Sequence, residues 1–335
     1  MTSADVLRIG VAGAGNIASI AQLPTLVARD DVELRGLVTR KDDPQPLMRR
    51  WGFHRAYPTV EALLETEELD ALFVLTPRSE HVHATRLALK AGVDVFCEKP
   101  LATRASDAQS LAELAAARER VLMVGFNRRF APVYEAGRAA FGESGASFCV
   151  AQKNRAGSEY RATFENAIHM VDLLRWYCGG EAVEVTAHTA GDDPWQEDGT
   201  TAIIRFDTGN TGVLVAARTA GAWNEKLDAY GAGRSAEVQA PESVSITADG
   251  VTTSRNLSSE AFGWATATET LGFAQAVHHF LDRIKDRRPP LTSGRDAVAT
   301  QELLDRILTS AGLPTHEQEG RQWASHAANP VHQPA

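Results

Sequence analysis

Cysteine is scarce in this sequence. The three present, Cys97, Cys149 and Cys178, are far apart and odd in number. They form no metal-like spacing and indicate a reducing compartment, so no metal site is expected. Positive charge is also short: 34 Lys and Arg stand against 43 Asp and Glu, a net charge of −9. That balance argues against a general nucleic-acid binder and against docking on an anionic membrane, while leaving room for a local basic pocket for a phosphate. No stretch reaches the roughly 18 apolar residues needed to cross a bilayer. The start, Met1-Thr2-Ser3-Ala4-Asp5, lacks a basic n-region, and the apolar run from Ile9 is broken by glycine. Internal repeats and long low-complexity linkers are absent too. The expectation is a cytoplasmic protein without nucleic-acid or membrane partners. What is present fits that class: 335 residues, enough for two domains, of which 44% are hydrophobic and 23% charged.

Leu7-Arg8-Ile9-Gly10-Val11-Ala12 reads as a strand, and Gly13-Ala14-Gly15-Asn16-Ile17-Ala18 follows directly. This is a G-x-G-x-x-G/A fingerprint with a strand before it and an apolar-periodic helix (Ile17, Ile20, Ala21, Leu23) after it. The first glycine serves a tight turn and the second lets backbone approach a pyrophosphate. Ala18 permits close helix–strand packing, and exposed N–H groups favour phosphate. Pro24 is expected to break or kink the helix early. Residues 32–38 read as the second strand and end in Thr39-Arg40-Lys41. A free ribose 2′-hydroxyl usually meets an acid there. Arg40 suits a 2′-phosphate instead, which favours NADP(H) over NAD(H). The other reading of these residues is a solvated charged turn.

Tyr57-Pro58-Thr59 precedes a short helix over 60–64, and residues 71–75 form a buried strand ended by Thr76-Pro77. His81 and His83 open a helix stopped by Gly92. Val93-Asp94-Val95-Phe96 is a further strand, and Cys97-Glu98-Lys99-Pro100-Leu101 follows it. Glu98 and Lys99 thus stand at a strand's carboxyl end, where open α/β sheets bind ligands. The bland alternative is a surface Glu-Lys pair. Ser106 is expected to cap an alanine-rich helix to about Arg118, before a strand over 121–125. Alternating strands and helices imply a parallel doubly wound sheet.

From Ala146 the pattern changes. Strand-like runs over 147–152, 183–189, 201–206, 211–217, 227–230, 236–239, 244–247 and 251–254 are separated by turn signals such as Asp207-Thr208-Gly209-Asn210. They describe an antiparallel sheet with one face to cover. A helix over 267–285 carries an apolar stripe and a possible capping box at Thr266 and Glu269, and Ser293 caps a last helix. The run from Phe164 to Trp176 reads as a buried helix in which Glu165, His169 and Asp172 fall at i, i+4 and i+7, on one stripe. A polar cleft for a hydroxylated ligand would satisfy them, and so would a structural ion-pair network. Imidazole titrates near neutrality, which makes His169 a candidate proton carrier.

These motifs, with Gly125-Phe126-Asn127-Arg128-Arg129-Phe130, stand in the order and spacing of one family. Over nearly its whole length the chain resembles the Gfo/Idh/MocA-type oxidoreductases (glucose–fructose oxidoreductase, inositol dehydrogenase, rhizopine catabolism). The resemblance implies a Rossmann domain, here 1–125, and an α/β domain with a large, open, mostly antiparallel sheet, here 126–335. It implies hydride transfer between NAD(P) and a sugar, cyclitol or related alcohol or ketone. Cofactor contacts are then expected from Gly13, Gly15, Asn16, Ile17, Arg40, Thr76, Pro77, His81, Glu98 and Lys99. Lys99 would polarise the reacting oxygen, His169 would exchange the proton, and Glu165 and Asp172 would bind substrate. Family members commonly carry Asp-x-x-x-His-x-x-Asp in the helix; here Glu165 replaces the first Asp. A homo-dimer or homo-tetramer through the open sheet is expected. Tyr160, Trp195, Trp223 and Trp264 are candidates to stack on a sugar ring. The competing readings are a dihydrodiol-type or non-sugar carbonyl reductase, and a nucleotide-sensing regulator without catalysis.

Overall fold

β1 (Leu7–Ala12) is the central strand of the first sheet, buried because both its neighbours and the helices on each face are apolar. The computed structural model describes residues 6–157, 161–257 and 266–316. After β1 come α1 (Asn16–Ile20), α2 (Gln22–Val27), β2 (Val32–Val38), α3 (Gln45–Trp51), β3 (Arg55–Tyr57), α4 (Val60–Thr66), β4 (Ala71–Val74), α5 (His81–Lys90), β5 (Asp94–Cys97), α6 (Ala105–Ala117) and β6 (Leu122–Val124). The sheet is parallel throughout, in the order β3-β2-β1-β4-β5-β6. This is the doubly wound Rossmann order, with its switch point between β1 and β4.

The second region contains α7 (Pro132–Ala139), β7 (Phe148–Asn154), α8 (Ile168–Cys178), β8 (Ala182–Ala190), β9 (Gly199–Phe206), β10 (Thr211–Ala217), β11 (Asn224–Gly231), β12 (Arg234–Gln239), β13 (Ser243–Ala248) and β14 (Val251–Asn256). Its eight strands run β14-β13-β12-β11-β7-β10-β9-β8, antiparallel except for the β7–β10 pair. α8 covers β7 and β10, and α7 covers β12 and β13. The other face stays open. Phe148, Ile203 and Tyr230 are 44%, 56% and 43% exposed on it, which is apolar surface a monomer seldom leaves uncovered.

Last come α9 (Ala267–Thr270), α10 (Phe273–Asp286) and α11 (Gly294–Ser310), which turn back onto the first sheet. Phe280 of α10 meets Phe73 and Phe96 edge-on at ring centroid distances of 5.3 and 5.7 Å, while Phe73 and Phe96 stack at 5.0 Å. Thr292, just before α11, accepts from the Val124 N–H through its carbonyl and donates its hydroxyl back to the Val124 carbonyl, at 2.8 and 2.7 Å. Among the described residues no helix is long and apolar enough to cross a membrane.

Several local expectations need correcting. The helix after the glycine turn breaks at Ala21 (φ −108°, ψ −67°), so Pro24 falls in the first turn of α2, where its missing N–H costs nothing. Ile17 and Ile20, read as part of an apolar stripe, are 51% and 58% exposed. Ser106 lies inside the first turn of α6 and caps nothing; Arg104 is the N-cap. The helix expected over 267–285 is interrupted at Gly272 (φ +80°), where a Cβ would lie 2.3 Å from the Asn127 carbonyl oxygen. The capping box of Thr266 and Glu269 is present, and Ser293 caps α11 by accepting from the Asp296 N–H at 3.2 Å. α3, β3 and α7 were not foreseen.

Candidate active site

At the switch point, Gly13 has φ +90°, and a Cβ there would lie 2.7 Å from the Leu75 carbonyl oxygen at the end of β4. Only glycine lets these two strand ends approach so closely. At Gly15 a Cβ would meet nothing within 4 Å, so the backbone is open to an incoming phosphate. Asn16 and Ile17 begin α1, and Ala18 is buried against the sheet. Across the gap, Thr76 Oγ1 is buried without a partner, beside the exposed Pro77. Arg40 extends beyond β2 with its side chain 75% exposed, 3.6 Å from Glu80. A dinucleotide fits this arrangement: open turn, unsatisfied hydroxyl, and a cation beyond the second strand.

His81 does a different job from the one expected. Its Nδ1 and Nε2 lie 2.7 and 2.9 Å from the carbonyl oxygens of Pro100 and Thr76. Both ring nitrogens therefore face main chain, and none is left for a cofactor. The ring braces the loop after β4 against the loop after β5. Burial lowers its pKa although the two carbonyls favour the cation. His83 pairs with Glu61 at 2.8 Å on the surface.

The loop after β5 presents Glu98, Lys99 and Pro100. Gln22 of α2 donates to Glu98 Oε1, and the Lys99 N–H donates to Glu98 Oε2 at 3.2 Å. A Cβ at residue 125 would come within 3.0 Å of Glu98 Oε1, so Gly125 makes room for this carboxylate. Burial pushes the Glu98 pKa up to about 7, against the pull of Lys99. Burial also brings Lys99 down to about 8, opposed by the charges of Glu98 and Glu165. Lys99 Nζ donates to the Glu165 carbonyl at 3.4 Å, which joins the strand end of the first region to the helix of the second.

The helix foreseen from Phe164 is not continuous. Ala162–Asn166 form a π turn, with the Ala167 N–H donating to the Ala162 carbonyl at 3.1 Å, and α8 begins only at Ile168. Glu165 Oε2 accepts from the Arg161 N–H at 2.7 Å, and Thr163 N–H donates to Glu197 at 3.0 Å, which pins the turn. Such turns are frequent at functional sites. The wider turn breaks the even stripe of Glu165, His169 and Asp172, and the three lead different lives. Glu165 pairs with Arg78 from the loop after β4. His169 is buried beside the edge of Phe126, and its Nδ1 has no partner. Burial takes its pKa well below the usual imidazole range, and the positive charges of Lys153, Lys99, Arg128 and Arg155 take it further. His169 is thus neutral at pH 7, rather than titrating near neutrality as its type suggests. Asp172 is fully buried and accepts two bonds from Arg129, at 2.8 and 2.6 Å, and one from Thr300 at 3.1 Å. Those partners occupy the carboxylate and lock α8 to α11, so the geometry gives Asp172 a structural place and corrects its assignment to substrate.

Sequence reasoning missed a buried ionic cluster behind His169. Lys153 on β7 and Glu225 on β11 are register partners, 2.8 Å apart, and Arg128 reaches the same carboxylate at 2.5 and 3.0 Å. Tyr134 donates to it at 3.1 Å. Burial works to raise the Glu225 pKa, yet the charges of Arg128 and Lys153 and their hydrogen bonds hold it far below the carboxylate range. The signal was available: Cys149, Ala151 and Lys153 alternate onto the covered face of β7, and a lysine at such a position needs a partner. Of the four aromatic candidates, Trp195 packs edge-on against His316 at 5.3 Å and Trp223 is 41% exposed. Tyr160 and Trp264 lie outside the described residues.

Residues 7–126 match the family described as "Oxidoreductase family, NAD-binding Rossmann fold", and residues 147–237 match the "GFO/IDH/MocA C-terminal domain". YceM of Salmonella typhimurium, an oxidoreductase by description, is 30% identical over 91% of this chain and 98% of its own. An inositol 2-dehydrogenase of Rhizobium meliloti is 27% identical over 75% of this chain and 81% of its own. An oxidoreductase of Agrobacterium radiobacter, solved with NAD+, L-tartaric acid and magnesium, superposes with a TM-score of 0.80 at 21% identity, over 91% of this chain and 96% of its own. With a relative 30% identical over nearly all of both chains, and with both family models matched in order, the chain belongs to the Gfo/Idh/MocA family of NAD-binding oxidoreductases.

Proposed function

We propose that this protein is an NADP(H)-dependent dehydrogenase of a sugar-like or cyclitol alcohol, with Lys99 and His169 meeting the reacting oxygen. One observation carries the reading: Lys99 Nζ from the first sheet reaches the turn that leads into His169, whose Nδ1 is buried and unpartnered. A cation and a neutral imidazole at one cleft can stabilise negative charge on an oxygen and take its proton. The bound nicotinamide supplies the hydride chemistry. Gly13, Gly15, Asn16 and Ile17 would hold its pyrophosphate, Thr76 and Pro77 would line its path, and Glu98 would orient Lys99. Glu165, held by Arg78 and by the Arg161 N–H, would contribute one oxygen to a substrate hydroxyl. One relative named above, that of Rhizobium meliloti, is an inositol 2-dehydrogenase by name. The test is turnover of a panel of polyols and ketosugars, followed through absorbance of the reduced cofactor. Tight cofactor binding with no turnover on a wide panel would replace this reading with a nucleotide sensor.

Arg40 carries the cofactor preference, because it stands where a ribose-binding acid usually lies. Arg40→Ala should weaken NADPH binding about ten-fold while leaving NADH nearly unchanged, as expected for one lost charge-assisted contact. Fluorescence titration with both cofactors reads this. Equal wild-type affinities, or tighter NADH, would sink the preference.

The open sheet face supports self-association. Tyr230, Phe148 and Thr211 lie in one register row, with Asp228, Val150, Val213 and Ile203 in the next. An apolar patch at the centre of a sheet suits a two-fold contact between copies. Ile203→Asp should reduce the solution mass toward that of one chain in light scattering. A wild-type protein that is already monomeric at micromolar concentration would remove the idea.

A further inference from the structure

The His81 ring faces two acceptors and, in its neutral form, has one proton to give them. It is 1% exposed. Nδ1 lies 2.7 Å from the Pro100 carbonyl oxygen, and Nε2 lies 2.9 Å from that of Thr76. Carbonyls only accept, so bonding both at once takes the imidazolium. Burial opposes that cation, and the charges of Lys99 and of Arg78 in the loop after β4 oppose it too. Together they outweigh the pull of the two carbonyls and lower the pKa. At neutral pH the ring therefore has a single N–H. The contact to Pro100 is the shorter and the more deeply buried of the two. An unbonded carbonyl costs more where water cannot reach it, which favours the proton on Nδ1.

Pro100 follows Lys99 directly and is buried. Proline has no N–H, so its carbonyl is the main-chain group by which it can be tied. On the other side, the Lys99 N–H donates to Glu98 Oε2 at 3.2 Å. Lys99 is thus fastened twice, once to the preceding carboxylate and once to the first turn of α5. From that backbone its Nζ reaches the Glu165 carbonyl at 3.4 Å.

We propose that His81 is a positioning residue for Lys99: its Nδ1–H holds the Pro100 carbonyl and so fixes the backbone from which the Lys99 side chain reaches the turn before α8. This deepens the dehydrogenase reading and rests on it for the role of Lys99. His81 itself touches neither cofactor nor substrate.

The tautomer is read first, by nitrogen NMR of the full chain with isotope-labelled histidine, the His81 signals being identified by their loss in His81→Asn. At about pH 7.5 Nδ1 should carry the proton and Nε2 should not. A proton on Nε2 with Nδ1 bare overturns the proposal. Two variants then divide the ring's contacts. The amide nitrogen of Asn falls near the place of Nδ1, and that of Gln near the place of Nε2. His81→Asn can still donate to Pro100, whereas His81→Gln can donate only to Thr76. Burial brings Lys99 down to about 8, and His81→Asn should keep it there. In His81→Gln it should move back toward the ordinary lysine value of about 10.4. The probe is the NMR titration of reductively methylated Lys99, identified by its loss in Lys99→Arg. It needs no substrate, so it decides the proposal even where the polyol panel gives no turnover and the dehydrogenase reading falls. With turnover in hand, His81→Gln should lower kcat about 10–100-fold and leave KM for NADPH within about two-fold, while His81→Asn stays within about five-fold of wild type. A merely structural ring would cost both variants Tm, kcat and KM in parallel. That parallel loss, or a Lys99 titration that His81→Gln does not move, overturns the proposal. Should His81→Gln fail to fold, the wild-type tautomer decides alone.

Discussion

Lys99→Ala should lower kcat by about 10²–10³-fold, or ~2.7–4 kcal/mol, the cost of removing a preorganised donor from a developing oxyanion. The loss should fall on kcat more than on KM for the cofactor, since the pyrophosphate turn at Gly13 and Gly15 is untouched. A second signature separates this role from a structural one. Lys99 is brought down to about 8, and it acts as the cation. Wild-type kcat/KM should therefore fall as pH rises through about 8, and Lys99→Ala should abolish that limb. Lys99 and the Glu98 carboxyl, pushed up to about 7, interact closely, so the limb reports the pair and not one residue. An alkaline limb that survives in Lys99→Ala, or a kcat within a few-fold of wild type, would show that another donor polarises the oxygen.

His169→Ala should cost roughly 10²–10⁴-fold in kcat, the range for a lost proton carrier. Its pH signature lies on the opposite side. The ring is neutral at pH 7 because burial and four positive neighbours oppose the proton. Oxidation should then hold steady through neutrality and decline only well below pH 6.5. The same shift bears on stability, with a definite sign. Below about 6.5 the unfolded imidazole binds a proton that the folded one refuses, so the unfolded state binds more protons and stability falls as pH falls. The slope from this one group is at most about 1.4 kcal/mol per pH unit. His169→Gln should lessen the loss of Tm between pH 6.5 and more acidic buffers. If His169→Ala retains full activity and the wild-type acid limb, the proton passes through Glu165 or solvent instead.

Much of the fold was legible because it rests on local rules. The glycine turn at 13–15 declared itself between a strand and a helix, and all eight strands of the second sheet were visible as alternating runs bounded by turns. What could not be read depended on distant residues. Nothing near Gly272 in sequence announces that the Asn127 carbonyl will press against it and divide a helix in two. The π turn before α8 is imposed by Arg161 and Glu197, which are remote from one another until the chain folds. In the site, Lys99 and His169 stood out by residue type and place. Asp172 misled because helical spacing put it beside His169, while Arg129 and Thr300 had already claimed it. His81 misled in the same way, its two nitrogens answering carbonyls that lie five and nineteen residues off. Periodicity tells which face a side chain shares, and it does not tell which partner reaches it first.

The return of the last helices to the first sheet sets an order of events at the ribosome. Phe73 and Phe96 are made early, yet the ring that covers them, Phe280, belongs to a helix synthesised some two hundred residues later. Val124 waits likewise for Thr292, and Asp172 for Thr300. A nascent chain that has emerged only as far as β14 therefore displays an uncovered aromatic face on its first domain, at the stage when sticky surface is most exposed to other chains. The first domain is thus first in sequence but the last to gain its full set of contacts.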